Sequence, residues 1–546
     1  MTSINLNFVY SKMCGILGIL VGDDDKPNPF EITHAIETMG PRGPDERNKL
    51  VFNNVVMAHT RLSIVNPLSG PQPLVGESWI VCVNGEIYNH AYLSETRNSD
   101  CDVILNFLEK GVPPQVFVPR LNGAFAFVAY NISTDEMIAV RDHVGIVPLY
   151  YTQTNGNVWY ASMLRAFPKG SNPRFVQPGT IETVRRSEAH GFVVDTHQWH
   201  RPYKIENIPL EYDRQEFKRL LQDAVQSRVS QGDVPWGLLL SGGLDSSVVA
   251  ALACKIKNKN FPVVHSFCVG LHGSPDIEAA ELVAKHLGTV HHTVYYTEQD
   301  ALFHLENVIR DIESYDITTV RASLPMWILG KAMKKFGIKY VLSGEGSDEA
   351  LAGYLYFWKA PNAQELAEET VRKVGRLHGF DCLRANKALA AHGIETRVPF
   401  LDTAVLRFMM ERIHPQHKMS KSHPEGERIE KYELRQLMES ELPESVVCRT
   451  KAQFSDAVGS AHIQTLIDYA DKNVGDELME KSEFTTKEGY LYYAMFKDIF
   501  LNIDDEKNCV LTEPNTVACS TGSAVKWFGA RVRNDPSGEA VLELGT

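Results

Sequence analysis

Hydrophobic and polar positions follow two rhythms along this chain. Through roughly the first 200 residues, short apolar or alternating runs recur between Gly, Asn and Asp turns. "GILGIL" (15–20), "NNVVMAH" (53–59), "SWIVCVNGEIYN" (78–89), "NGAFAFVAYN" (122–131) and "EMIAVRDHVG" (136–145) each predict a strand. "CDVILNFLEKG" (101–111) has helical spacing instead. The Pro residues and mixed charge of 200–213 predict a linker. Beyond it the rhythm changes. Residues 213–230 are spaced as a helix, and near-continuous apolar strands then alternate with helices: "WGLLLS" (236–241), "VVHSFCVGL" (263–271), "TVHHTVYY" (289–296) and "IKYVLSG" (338–344). That alternation predicts a parallel sheet with covering helices. Past Asp504 the helical pattern fades, which predicts a tail looping over the surface.

Length and charge narrow the picture. At 546 residues the chain is too long for one core, so at least two domains are expected. Its net charge of −13 argues against a nucleic-acid or anionic-membrane partner held by bulk charge, but leaves room for a local basic pocket. Nine cysteines without a C-x-x-C pair form no disulfide framework or zinc knuckle, so reduced thiols are expected. No apolar run reaches the ~18 residues of a membrane helix, and the residues before Cys14 lack a basic signal-peptide start. Small-molecule substrates and a cytoplasmic location follow as expectations.

The sharpest motif is "SGGLDSS" (241–247), between the strand "WGLLL" and a helix. A Gly-rich turn there brings backbone N–H groups and the helix dipole to an anion. Gly242 and Gly243 permit the tight turn, and Ser241, Ser246 and Ser247 offer hydroxyls to phosphate. Asp245 repels phosphate directly and makes sense as a ligand of bridging Mg²⁺. No Gly-Lys-Ser/Thr follows, so this is not a Walker loop. A second loop, "VLSGEGSDEALAGY" (341–354), crowds Glu345, Asp348 and Glu349 at a strand's carboxyl end, where open α/β sheets bind ligands.

These loops, with "CVGLHGSPD" (268–276), "ESYDITTVRAS" (313–323), "DCLRANKALAAHGIETRVPFLD" (381–402) and "RTKAQFSDAVG" (449–459), resemble the synthetase domain of glutamine-hydrolysing asparagine synthetases, built on the ATP-pyrophosphatase fold. The resemblance implies adenylation of a carboxylate by ATP, then displacement of AMP by ammonia. It implies that Leu239, Val269, Ser343 and Gly344 hold AMP. Ser241, Gly243, Asp245 and Ser246 would hold pyrophosphate and its Mg²⁺, with Asp348 as second metal ligand. Lys451 would neutralise the phosphates and Glu345 would take a proton from ammonia. Thr318, Thr319, Arg321, Asp381, Arg384 and Glu395 would line the aspartate site, with Arg321 and Asp381 as the pair suited to a zwitterion.

The first half must then supply ammonia. "MCGIL" (13–17), "RLSIV" (61–65), "VNGEIYN" (83–89) and "NSDC" (98–101) resemble the glutaminase domain of class II amidotransferases, which are N-terminal-nucleophile hydrolases with an αββα sandwich. The resemblance implies that the Cys14 thiol attacks the glutamine amide while its own α-amine shuttles the proton. An α-amine titrates near about 7.7–8.0, suited to a base at neutral pH. Asn84 and Gly85 would form the oxyanion hole. Arg61, with Leu62, Ile64 and Val65, would take the glutamine α-carboxylate, and Glu86 and Asp100 its α-ammonium. A peptide N–H is no base, so residues 1–13 are expected to be absent or removed in the active protein. Where the family reads Arg-His-Arg-Gly-Pro-Asp, this chain has "GPRGPD" (40–45), with Pro41 at the His position. The segment between Asn89 and Asp100 is also shorter.

The expected organisation is an extension at 1–13, a glutaminase domain at 14–203, a linker at 204–213 and a synthetase domain at 214–546. A homodimer is expected. A β-lactam synthetase-like cyclase is the nearest rival, but such proteins tend to lose the nucleophile, and this chain keeps Cys14, Arg61, Asn84 and Asp100.

Overall fold

The computed structural model describes residues 14–22, 26–43, 45–65, 71–94, 99–188, 191–256, 258, 260–420, 429–451, 458–512 and 521–528. The leading segment 1–13, Asn98, Pro44 and residues 452–457 of the "RTKAQFSDAVG" motif lie outside them.

Twelve strands make two six-stranded antiparallel sheets. The first contains β1 (Gly15–Leu20), β2 (Glu46–Phe52), β3 (Val55–Arg61), β8 (Tyr150–Thr154), β9 (Asn157–Ala161) and β10 (Arg174–Phe175), in the order β10-β8-β9-β1-β3-β2. The second contains β4 (Leu74–Val75), β5 (Trp79–Ile87), β6 (Gly123–Asn131), β7 (Glu136–Arg141), β11 (Thr180–Ser187) and β12 (Gly191–Gln198), in the order β12-β11-β7-β6-β5-β4. The period-2 alternation explains the layering. Ile16, Leu20, Val55 and Met57 point inward against Ile80, Cys82, Ala126 and Val128 of the other sheet. Leu17, Ile19 and Val56 point outward, under Ile32, Ala35 and Met39 of the helix Pro29–Met39. Val81, Val83, Phe125 and Phe127 lie under the helix Asp102–Glu109. The result is the αββα sandwich that the resemblance implied.

The second half holds a five-stranded parallel sheet: β13 (Trp236–Leu239), β14 (His265–Gly270), β15 (Val290–Tyr295), β16 (Tyr340–Leu342) and β17 (Glu395–Arg397), in the order β15-β14-β13-β16-β17. One face, through Leu238, Cys268 and Leu342, packs on the apolar sides of the helices Arg214–Ser230, Leu244–Cys254 and Pro275–Leu287. The other, through Phe267, Val269 and Val341, packs on Glu298–Ile312 and Ile317–Met333. The chain moves outward from β13 to β15, then crosses back to add β16 on the other side of β13. That reversal opens a crevice at the carboxyl ends of β13 and β16, where doubly wound sheets bind ligands.

The two halves meet through buried polar contacts. Lys387 donates to Tyr150 of the sandwich (2.7 Å) and to Glu313, whose carboxylate also accepts the backbone N–H of Leu164 (2.9 Å). Asn122 donates to Asp402 (2.9 Å), and Asp402 pairs with Arg228 (3.0 Å). The tail departs from expectation. Instead of only looping over the surface, its described part pairs with the sandwich: Phe175 N–H donates to Asn508 O (3.1 Å), while Cys509 and Val510 are buried. Backbone complementarity across more than 300 residues leaves no periodic sequence signal.

Burial lowers the Lys387 pKa to about 8, with Glu313 opposing the shift. Removing one partner of such a pair leaves a buried uncompensated charge, which costs about 3–5 kcal/mol. Lys387→Met should therefore lower the thermal midpoint sharply, and Lys387→Met with Glu313→Gln should regain much of it, measured by calorimetry.

Candidate active sites

Cys14 immediately precedes β1, beside Leu62 at the end of the neighbouring strand β3. Its Sγ accepts the Leu62 N–H at 3.3 Å and lies 3.7 Å from Leu62 O. Arg42, buried, donates its Nε to Cys14 O (3.0 Å) and Nη2 to Asn386 Oδ1 of the second half (2.7 Å). From β5 come Asn84, whose Nδ2 reaches Ser162 Oγ at 3.4 Å, Gly85, and Glu86. Gly85 has φ +134°, and a Cβ there would strike Ala124 O at 2.0 Å, so only glycine fits. Asp100 accepts the Ile87 N–H at 2.7 Å. Burial pushes the Cys14 thiol up to about 12. The Leu62 hydrogen bond and Arg61 oppose this, and Glu395 and Glu86 add to it. The thiol is thus protonated at rest and needs a base to become a nucleophile.

The second site fills the crevice. Its walls include Leu239, Ser241, Gly243, Asp245, Ser246, Val269, Ser343 and Gly344, all eight residues expected around the nucleotide. Gly242 has φ +72°, and a Cβ would meet Ala280 N at 2.4 Å, so the loop closes against the next helix only with glycine. Gly243 N–H donates to Ser241 Oγ (3.3 Å), and the Ser241 and Ser246 hydroxyls lie 3.1 Å apart. Ser247 turns away and donates to Gly243 O (2.7 Å), so it caps the turn and is not free for phosphate.

Charged groups crowd the same crevice. Arg384 bridges Glu345 (2.7 Å) and Asp381 (2.8 Å). Lys431 contacts both Asp245 and Asp348, and Lys451 pairs with Asp348 at 3.1 Å. Burial raises the Asp348 pKa, but Lys431 and Lys451 outweigh it and hold the group at about 2. Burial likewise works against the Lys451 ammonium, yet Asp348 and Asp245 keep its pKa above the usual lysine range. Burial pushes Glu345 up, Arg384 pulls it down, and Asp381 adds to the upward push. Glu349 is raised well above the usual range by burial and by Asp381 and Asp348, and receives the Tyr354 hydroxyl. Its hydrogen bond to Tyr354 braces the loop.

The family model for asparagine synthase matches residues 216–365 and 358–513, and that for a glutamine amidotransferase domain matches 13–187. The chain is 42% identical to asparagine synthetase B (glutamine-hydrolysing) of Escherichia coli strain K12, over 97% of this chain and 99% of that one. It is 41% identical to glutamine-hydrolysing asparagine synthetase 2 of Arabidopsis thaliana, over 97% and 95%. The chain belongs to the glutamine-hydrolysing asparagine synthetases.

Thr318, Thr319, Asp381 and Arg384, expected to line the aspartate site, are on the wall of the same crevice. Two residues expected beside them are not. Arg321 is buried and engaged by Glu488 at 2.9 and 2.6 Å, so its guanidinium serves the packing of two helices. Glu395 binds Arg397 at 2.8 Å, on the side of β17 that faces Glu86 and Asp100. Proximity in sequence to the motif did not report which way each side chain turns. Sequence reading also missed Lys431, which sits in the left-handed region (φ 54°) with its ammonium between two carboxylates, and Lys373, which lines the pocket over the Tyr354 ring (5.2 Å). Two isolated lysines in helical or irregular stretches carry no motif that would have flagged them.

The site also fits the expected divalent cation. Asp245 Oδ1 is buried and has no hydrogen-bond partner among the described residues, beside an anion-cradling loop and across from Asp348. Hard carboxylate oxygens of this kind suit Mg²⁺ shared with phosphate.

The corrected placement makes a prediction. Arg321→Gln with Glu488→Gln should leave the KM for aspartate within about twofold, since neither side chain reaches the pocket. Arg384→Gln should raise it roughly tenfold or more, because a buried bridge to two carboxylates is lost. Steady-state kinetics with aspartate varied separates the two.

Proposed function

We propose that this chain makes L-asparagine from L-aspartate, ATP and L-glutamine, releasing AMP, pyrophosphate and glutamate. The observation that carries the reading is the convergence of Glu345, Asp348 and Lys451 on the SGGLDSS loop, in one chain with a Cys14–Asn84–Gly85 site. Residues 14–203 form the glutaminase and 214–546 the synthetase, joined by 204–213.

At the first site the Cys14 α-amine takes the thiol proton, and the thiolate adds to the glutamine side-chain carbonyl. Asn84 and Gly85 stabilise the oxyanion. Arg61, with the Leu62–Val65 backbone, holds the substrate α-carboxylate, and Glu86 and Asp100 its α-ammonium. Ammonia leaves and passes to the second site, and water releases glutamate. There the aspartate β-carboxylate attacks the α-phosphorus of ATP. Ser241, Ser246 and Lys451 hold the departing pyrophosphate, and Asp245 and Asp348 would hold Mg²⁺. When bound, the ion supplies charge neutralisation between the phosphates. Leu239, Val269, Ser343 and Gly344 keep the AMP moiety of the β-aspartyl-adenylate. Arg384 and Asp381, with Thr318 and Thr319, orient the amino acid. Ammonia then attacks the acyl carbon, Glu345 accepts its proton and AMP departs. Burial raises the Glu345 pKa and Arg384 opposes that rise.

A cytoplasmic location belongs to the same reading, supported by the free thiols of all eight described cysteines; no helix among the described residues is long and apolar enough to cross a membrane. A homodimer is proposed from the family resemblance, and light scattering tests it.

Two outcomes test the chemistry. Asp245→Asn and Lys451→Ala should each cut asparagine formation by about 10²–10³-fold or more while glutamine hydrolysis continues, and AMP with pyrophosphate should be the nucleotide products of the parent. ADP and phosphate would overturn the adenylation step.

The nucleophile can be tested separately. Protein beginning at Cys14 should use both glutamine and ammonia. Protein that retains residues 1–13, confirmed by intact mass, should use ammonia alone, because its Cys14 nitrogen is an amide. Equal glutamine hydrolysis by both forms would rule out the free-amine mechanism.

A further inference from the structure

We propose that Arg397, on a strand of the synthetase half, is a positioning residue of the glutamine site: it fixes one oxygen of Glu86 so that the other is held ready for the substrate's α-ammonium. The inference rests on the reading that Glu86 binds glutamine.

Arg397 lies on the edge strand β17, the one that borders the sandwich. It is buried, and its guanidinium is fixed on three sides. Nη2 donates to Glu86 Oε1 (2.9 Å), Nε to Glu395 Oε1 (2.8 Å), and Nη1 to the carbonyls of Arg228 (2.6 Å) and Gln231 (3.0 Å). The plane stacks 4.0 Å over the Tyr340 ring. Such a fork cannot swing without leaving buried carbonyls unpaired. Glu86 is adjacent to the Asn84–Gly85 pair on β5, and its Oε2 is buried with no hydrogen-bond partner among the described residues. One carboxylate oxygen is therefore clamped and the other left over, in the site where a cation is due to arrive.

The local charge count explains why a clamp is needed. Glu86, Asp100 and Glu395 share this buried region with one directly bonded cation, Arg397. The other titratable or charged groups packed around Glu86 are Cys101, Tyr88, Tyr340 and Cys14, with His90 beside Asp100 and Arg228 neutralised by Asp402. Glutamine brings the second cation, its ammonium. Burial already raises Glu86 well above the usual carboxylate range, Arg397 opposes that rise, and Asp100 and Glu395 add to it. Without Arg397 the rise is unopposed and the clamp on Oε1 is lost, so glutamine binding weakens. The synthetase site is spared, since its link to this residue is the backbone Arg397 O accepting Ser343 N–H (2.9 Å), which any side chain at 397 leaves in place.

The experiment compares the parent, Arg397→Gln, Arg397→Lys and Glu86→Gln in glutamine hydrolysis and in ammonia-dependent asparagine synthesis. Arg397→Gln should raise the KM for glutamine roughly tenfold or more at pH 6.5, with a smaller change in kcat. That KM should fall towards the parent value as the pH rises to 8, because Glu86 regains its charge. Arg397→Lys, which keeps the cation but not the fork, should lie between. Ammonia-dependent synthesis should stay within about twofold. A parent-like, pH-insensitive KM in Arg397→Gln overturns the proposal, as does an equal loss in both activities, which marks a purely structural residue. Should Arg397→Gln fail to fold, Arg397→Lys decides alone: a raised glutamine KM with intact ammonia-dependent synthesis supports the role, and a parent-like KM refutes it. If Glu86→Gln leaves the glutamine KM unchanged, it is the assignment of Glu86 that fails, whatever Arg397 shows.

Discussion

Asp245, Glu345 and Asp348 crowd the crevice between β13 and β16, where a carboxylate taken out of water is costly unless it is paired. Lys431 and Lys451 serve Asp245 and Asp348, and Arg384 serves Glu345. This neutralisation lets a strongly acidic loop face a nucleotide. It also sorts the carboxylates by task. Asp348, pulled to about 2, is an anion at any working pH and suits a metal. Glu345, pushed up by burial and held down by one guanidinium, stays closer to proton exchange. Glu349, with no cation bonded to it among the described residues, is pushed well above the usual range by burial and braces the loop through Tyr354.

The same balance recurs where the halves meet. Lys387 with Glu313, Arg228 with Asp402, and Arg397 with Glu86 and Glu395 are buried ion pairs that cross or line the interface. Pairs of this kind add little net stability compared with apolar packing, but they penalise misalignment heavily. They set the register between the sandwich and the parallel sheet. The helix Asp381–Ala390 shows the consequence. Its first turn carries Asp381 and Arg384 into the crevice, while Asn386 and Lys387 reach the sandwich and touch Arg42 and Tyr150. One rigid element thus contacts both centres.

Chemistry at Cys14 follows from the opposite condition. Among the described residues no cation is bonded to its sulfur, and burial pushes the thiol up to about 12. A thiol buried this way needs a base before it can react. The chemical meaning of residues 1–13 therefore depends on the desolvation of one sulfur.

Much of this protein was legible in its sequence because the signals are local. The alternation of β1, β3, β5 and β6 follows from a period of two, and the βα rhythm of the second half from its apolar strands. Gly242 sits at positive φ in the turn that follows β13, so that Gly-rich loop could be read directly; Gly85 has its positive φ inside β5. Side-chain direction was not local. Arg321 and Glu395 lie within family motifs, yet the first turns to Glu488, 167 residues away, and the second to Arg397 at the glutamine side. Lys431 enters a site built from residues 186 positions earlier. The tail folds back on Phe175 through a backbone bond that no residue pattern encodes. The sequence by itself determined the elements and the two loops. Only the tertiary structure decided which cation serves which carboxylate, because pairing in a buried site is set by which elements pack together.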